Sequence, residues 1–102
     1  MSGLLSWSIY EISSEESSLN GVMLRGRIRK FGLENNINVI AENTEDIENS
    51  VRYATLTQDD GERIGRYVGS LIGDVAIRLV SEGVTNPVLS KLKVNNEERY
   101  VL

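Results

Sequence analysis

Arg25 stands directly behind Asn20-Gly21-Val22-Met23-Leu24, and Asn43 follows eighteen positions after that arginine. A glycine turn that runs into a helix aims several backbone N–H groups at one point, and the helix dipole makes that point attractive to anions. An arginine in the first turn adds a fixed positive charge and a planar fork of donors that suits a phosphate. An asparagine brought in from a neighbouring strand can hold a water molecule beside the bound anion. The chemistry these residue types offer together is phosphate binding next to a positioned water.

Composition narrows the alternatives. The chain has 102 residues, enough for one domain spanning 1–102 with a single hydrophobic core. Without cysteine there is no disulfide framework, zinc-thiolate site or thiol nucleophile, and without histidine no Ser-His-Asp triad and no imidazole base or ligand. Chemistry is left to carboxylates, amides, hydroxyls, arginines, lysines and backbone groups, so no cofactor and no metal site is expected. A net charge of −4 argues against a nucleic-acid partner, although Arg25, Arg27, Arg29 and Lys30 make a local basic cluster. No run of residues approaches the length of an apolar membrane span, and the N-terminus lacks the basic n-region of a signal peptide, so a cytoplasmic protein is expected.

The elements that must position the site follow from periodicity. Ser6–Ile12 reads as a first strand and Ser13–Ser18 as a polar loop. From Gly21 to about Asn35, Leu24, Ile28 and Phe31 recur at helical spacing, with Gly26 and Gly32 weakening the helix. Ile37–Glu42 is a second strand with Ile37, Val39 and Ala41 on one face, and Val51–Thr57 a third strand paired antiparallel to it. Asp59 or Asp60 is placed to cap a second helix that ends near Gly73, with Ile64, Tyr67, Val68, Leu71 and Ile72 as its apolar stripe. Val75–Val80 is a fourth strand, and Ser90–Val94 with Glu98–Leu102 add a short edge strand or hairpin. The order strand, helix, strand, strand, helix, strand predicts an α+β fold: a ferredoxin-like βαββαβ sandwich, with a four-stranded antiparallel sheet, two helices on one face and an extra C-terminal edge strand.

The stretch from Asn20 to Arg25, with Asn43-Thr44, resembles the acylphosphatase family, whose signature is Gly-Val-x-x-Arg before the first helix and an asparagine in the next strand. The resemblance implies a hydrolase that cleaves the carboxyl–phosphate bond of small acyl phosphates. In that reading Arg25 clamps the phosphoryl oxygens and Asn43 orients the attacking water. The amides of Asn20, Gly21, Val22, Met23 and Leu24 cradle the phosphate, and the partner is a small acyl phosphate or phosphate itself. Four positions depart from the family pattern. Asn20 replaces a glutamine, Met23 a glycine and Leu24 an aromatic, and Glu42 puts a carboxylate next to Asn43, where it would repel a phosphate.

Other readings stand beside this one. Arg25 is equally a solvated helix residue and Asn43 a strand terminator. The departures fit a non-catalytic ferredoxin-like binding module that keeps only the scaffold. An RNA-recognition motif has the same element order, but only Tyr10 and Tyr53 are placed to offer stacking rings on the first and third strands. Finally, Gly61, Gly65, Gly69 and Gly73 repeat every fourth residue along the second helix. They suit close packing within a monomer, or a homodimer through the Gly61, Gly65 and Gly69 face, with the first the stronger reading.

Overall fold

The computed structural model describes residues 6–19, 23–44 and 49–85. Six elements follow in the expected order: β1 (Trp7–Ser14), α1 (Leu24–Glu34), β2 (Val39–Asn43), β3 (Ser50–Thr55), α2 (Gln58–Leu71) and β4 (Val75–Val84). The strands form one antiparallel sheet in the order β2-β3-β1-β4. The result is a small α+β fold consistent with a ferredoxin-like arrangement. The expected C-terminal edge strand, at 90–94 and 98–102, lies outside the described residues. No helix among the described residues is long and apolar enough to cross a membrane.

Strand alternation decides which residues meet the helices. Tyr10 and Ile12 of β1, Ala41 of β2, and Val51 and Tyr53 of β3 share one core with Leu24 and Ile28 of α1 and with Ile64 and Val68 of α2. Both helices therefore pack on the same sheet face. Tyr10 and Tyr53 sit opposite each other in the β1–β3 register and stack, with ring centroids 5.0 Å apart and planes 10° from parallel. Both rings are buried beneath the helices, which removes them as an exposed platform for nucleotide bases.

The other face carries a line of alternating charge. The registers align Glu42, Arg52, Glu11 and Arg78 across all four strands. Glu11 bridges its neighbours: one carboxylate oxygen accepts from Arg52 Nε at 3.0 Å and Nη2 at 2.9 Å, the other from Arg78 Nη2 at 3.0 Å. Arg52 is 1% exposed, so the Glu11 contact compensates a charge withdrawn from water. Slipping one strand by a residue would turn these charges toward the apolar helix side, which ties the register to this line.

Two features of the helices differ from their sequence signals. The cap of α2 is Thr57, in extended conformation, whose Oγ1 accepts the Asp60 amide at 3.1 Å; Asp59 and Asp60 lie inside the first turn instead. Threonine and aspartate are both good caps, and the turn out of β3 delivers Thr57 in the extended geometry a cap requires. At the far end of α1, Asn36 takes a positive φ of 56° and the Ile37 amide reaches the Gly32 carbonyl at 2.9 Å. That is a Schellman closure, with asparagine in the left-handed position. Gly32 itself lets β2 come close, because a Cβ there would overlap Val39. Leu71, expected on the apolar stripe of α2, is 40% exposed, while the neighbouring Ile72 joins the core at that end of the helix.

Candidate functional site

The loop from β1 to α1 is tied down by side chains distant in sequence. Asn49, at φ 52°, accepts the Leu19 amide at 2.9 Å through Oδ1 and donates through Nδ2 to the carbonyls of Ser14 (2.9 Å) and Ser17 (2.7 Å). Asp74 accepts the Ser14 hydroxyl at 2.6 Å, the Ser17 hydroxyl at 2.7 Å and the Glu16 amide at 3.1 Å. These bonds, the Ser14 hydroxyl foremost and the Ser17 hydroxyl next, hold the Asp74 carboxyl down to about 2. Leu19, fully buried at the end of this loop, presents its carbonyl to the Leu24 amide at 3.2 Å.

Asn20, Gly21 and Val22 of the expected phosphate cradle lie outside the described residues. The remaining members fall into distinct roles. Met23 precedes α1 in left-handed conformation (φ 56°, ψ 43°) and is 73% exposed. Leu24 is a core residue, and its amide is spent on Leu19 rather than aimed outward. The first intrahelical bond runs from the Arg27 amide to the Met23 carbonyl. That leaves the amides of Arg25 and Gly26 without an acceptor among the described residues, at a helix start with no side-chain cap and no acidic residue in its first turn.

Asn43 is the last residue of β2, half-buried and on the helix-facing side with Val39 and Ala41. α1 and β2 run side by side in opposite directions, as two contacts establish. Gly32 meets Val39, and one turn earlier Arg29 Nη2 donates to the Ala41 carbonyl at 2.8 Å. The next step in that series is Arg25 and Asn43. Arg25 is four residues, just over one helical turn, before Arg29, about 6 Å along the axis, and Asn43 lies about 6.6 Å beyond Ala41. The two residues occupy the same end and the same side of the sheet. Arg25 is exposed and has no carboxylate partner among the described residues.

Glu42 does not stand beside Asn43 as its sequence position suggests. Strand alternation turns it to the opposite face, in register with Arg52, so its charge is separated from the α1 side by the sheet itself. Thr44 continues the antiparallel ladder, its amide and hydroxyl each reaching the Ser50 carbonyl at 3.1 Å.

Sequence reasoning missed Asn49, Asp74 and Arg29. Asn49 and Asp74 act over 30 to 60 residues of separation, and nothing in local spacing points to such partners. Arg29 was legible only as part of the basic cluster; its service to the exposed edge carbonyl of β2 needed the strand order. The rest of the cluster divides by helix side. Arg27 and Lys30, with Met23, Gly26, Glu34 and Tyr67, line a surface groove of about 460 Å³ on the α2 side of α1. Comparison of the chain with protein-family models, with characterised proteins and with solved structures finds no match.

Proposed function

We propose that the start of α1 binds a phosphate group and that the protein hydrolyses small acyl phosphates there. The observation that carries this reading is the progression Gly32–Val39, Arg29–Ala41 along α1 and β2, whose next members are Arg25 and Asn43. In this reading the exposed Arg25 guanidinium, the amides of Arg25 and Gly26, which have no acceptor among the described residues, and the half-buried Asn43 carboxamide share one end of the α1–β2 pair. The removal of Glu42 to the other face takes away the repulsion that its sequence position threatened.

In this mechanism Arg25 and the amides of Arg25 and Gly26 hold the phosphoryl oxygens, and Asn43 orients a water in line with the scissile bond. Water oxygen bonds to phosphorus as the phosphorus–carboxyl oxygen bond breaks. The carboxylate leaves with the bond pair, and the proton from water remains with phosphate or passes to solvent. A carboxylate leaves readily, so positioning and charge stabilisation suffice without a histidine acid. Purified protein is expected to hydrolyse benzoyl phosphate in the presence of EDTA. Arg25→Ala and Asn43→Ala should each lower the rate by about 10²-fold, with Arg27→Ala close to wild type. Intact benzoyl phosphate at high protein concentration, under conditions where the fold persists, defeats the catalytic claim.

One observation favours a second reading, a non-catalytic binding module: the Leu24 amide is already bonded to Leu19 and withdrawn from the cradle. Titrating phosphate against amide NMR signals separates the two. Shifts at Met23, Arg25, Gly26 and Asn43 accompany the hydrolase, whereas a module for another partner leaves them still.

A further inference from the structure

An antiparallel sheet with helices on one face ordinarily leaves its other face to water, so that its strands alternate buried and exposed residues. β3 departs from that pattern: every residue from Ser50 to Thr55 is buried. β1 departs in the same way from Ser8 to Ile12. Tyr10, Ile12, Val51 and Tyr53 owe their burial to the helix side. Their alternates Ile9, Glu11, Arg52 and Ala54 point to the opposite face, over which no helix or strand lies among the described residues.

Neighbours within the sheet do not account for this burial. Ile9 and Ala54 are 0% exposed and Arg52 1%. Cross-strand side chains about 5 Å away flank an arginine without covering it, so one laid along an open face keeps a side toward water. The burial exists within a single chain, which excludes a second copy as its source. Residues 1–5 and 45–48 are too short to turn back and run along the face, and 20–22 lead into α1 on the helix side. Residues 86–102 leave β4 beside the apolar part of the face: Val84 pairs with Trp7, and both border Ile9 and Ala54 together with Ile40 and Val80. Crossing from β4 to β2 takes about 15 Å at the spacing of neighbouring strands, and a segment of that length reaches up to about 55 Å when extended. Within it, Val88, Leu92 and Val94 recur at strand period, with Lys91 and Lys93 between them.

We infer that residues 86–102 form a strap across the open face of the sheet, with Val88, Leu92 and Val94 seated on Ile9, Ala54 and their half-buried neighbours. The strap closes a second apolar core on the side away from the helices and covers the Glu11–Arg52 pair, whose attraction strengthens as water is excluded. It occupies in the same chain a surface that would otherwise be open to partners. This placement differs from the edge strand expected of the same residues, which would lengthen the sheet beyond β4 and leave Ile9 and Arg52 uncovered. The inference is independent of phosphate chemistry at the start of α1.

NMR of the full chain with labelled methyl groups tests this directly. Nuclear Overhauser effects should join Leu92 or Val94 to Ile9 or Ala54. In a mixture of labelled and unlabelled chains, isotope filtering should show that these contacts arise within one chain. Leu92→Asp, in a chain whose amide spectrum remains dispersed, should erase them. It should also shift the emission of Trp7, the only tryptophan, to longer wavelength, because that ring borders the patch. Lys91→Asp, on the other side of the strap, should leave both signals as in the wild type. The proposal is overturned if Ile9 and Ala54 contact only residues 1–5, or only a second chain. It is equally overturned if residues 88–94 pair with β4 as a further strand without touching the face, or if dispersed Leu92→Asp keeps the wild-type Trp7 emission.

Discussion

At the start of α2 the Thr57 hydroxyl accepts the Asp60 amide and two aspartates occupy the first turn, whereas at the start of α1 no side chain among the described residues accepts an amide and the first charged residue is Arg25. Both helices face the same difficulty, since first-turn N–H groups lack intrahelical partners and gather positive potential. α2 neutralises it from within its own sequence. α1 adds like charge to it, and is held in place from outside through Leu19, Asn49 and the serine loop fastened to Asp74. A helix start left uncompensated, yet anchored by its surroundings, can accept an anion without losing its position. A start that is already capped has no such vacancy.

The comparison can be broken most forcefully at the glycines of the two first turns. Gly61→Ala in α2 drives a methyl group into the Tyr10 ring and should destabilise the fold by about 1–3 kcal/mol. Gly26→Ala in α1 meets open space and should stabilise by about 0.5–1 kcal/mol, so paired thermal melts should move in opposite directions. Removing the internal cap with Thr57→Ala should cost about 1 kcal/mol in denaturant unfolding, as the Asp60 amide loses its acceptor.

Making α1 resemble α2 is the sharper test. Met23→Asp puts a carboxylate at the bare helix start, a residue type that tolerates the left-handed backbone found there. It should stabilise by about 0.3–1 kcal/mol at low salt and abolish any rise in melting temperature produced by phosphate in the wild type. An unchanged response to phosphate would show that the anion binds elsewhere.

The smallest effect concerns the anchor of α1 itself. The Asp74 carboxyl is depressed in the folded chain to about 2, so its contribution is fully present above the ordinary carboxylate pKa and is lost as pH falls through about 2. Amide exchange at Glu16 and Ser17 should accelerate over that window relative to the fall expected from acid alone. Ser14→Ala, which removes the largest cause of the shift, should move the onset toward pH 4. Exchange that ignores both changes would show that Asp74 does not hold the loop.

Much of the framework was legible because period and punctuation are local. Leu24, Ile28, Ile64 and Val68 recur at helical spacing, and all are buried against one sheet face. Element ends were harder to read. The cap of α2 shifted from aspartate to Thr57, and β4 ran on to Val84, because several residues can end an element and the neighbouring chain selects among them. Arg25 and Asn43 were visible as residue types at a suggestive spacing, but the face that Glu42 occupies was not, since neighbours in a strand point to opposite faces.

The amino-acid order alone determined the succession of strands and helices, the apolar stripe of each, and the absence of thiol and imidazole chemistry, because these depend on neighbours within a turn or two or on composition. Only the tertiary structure decided that Asn49 and Asp74 fasten the loop before α1, that Glu11 compensates a buried Arg52, and that Gly61 admits the Tyr10 ring beneath α2. Those contacts join residues many positions apart, and hydrogen bonds and excluded volume respond to distance in space, for which local sequence carries no measure.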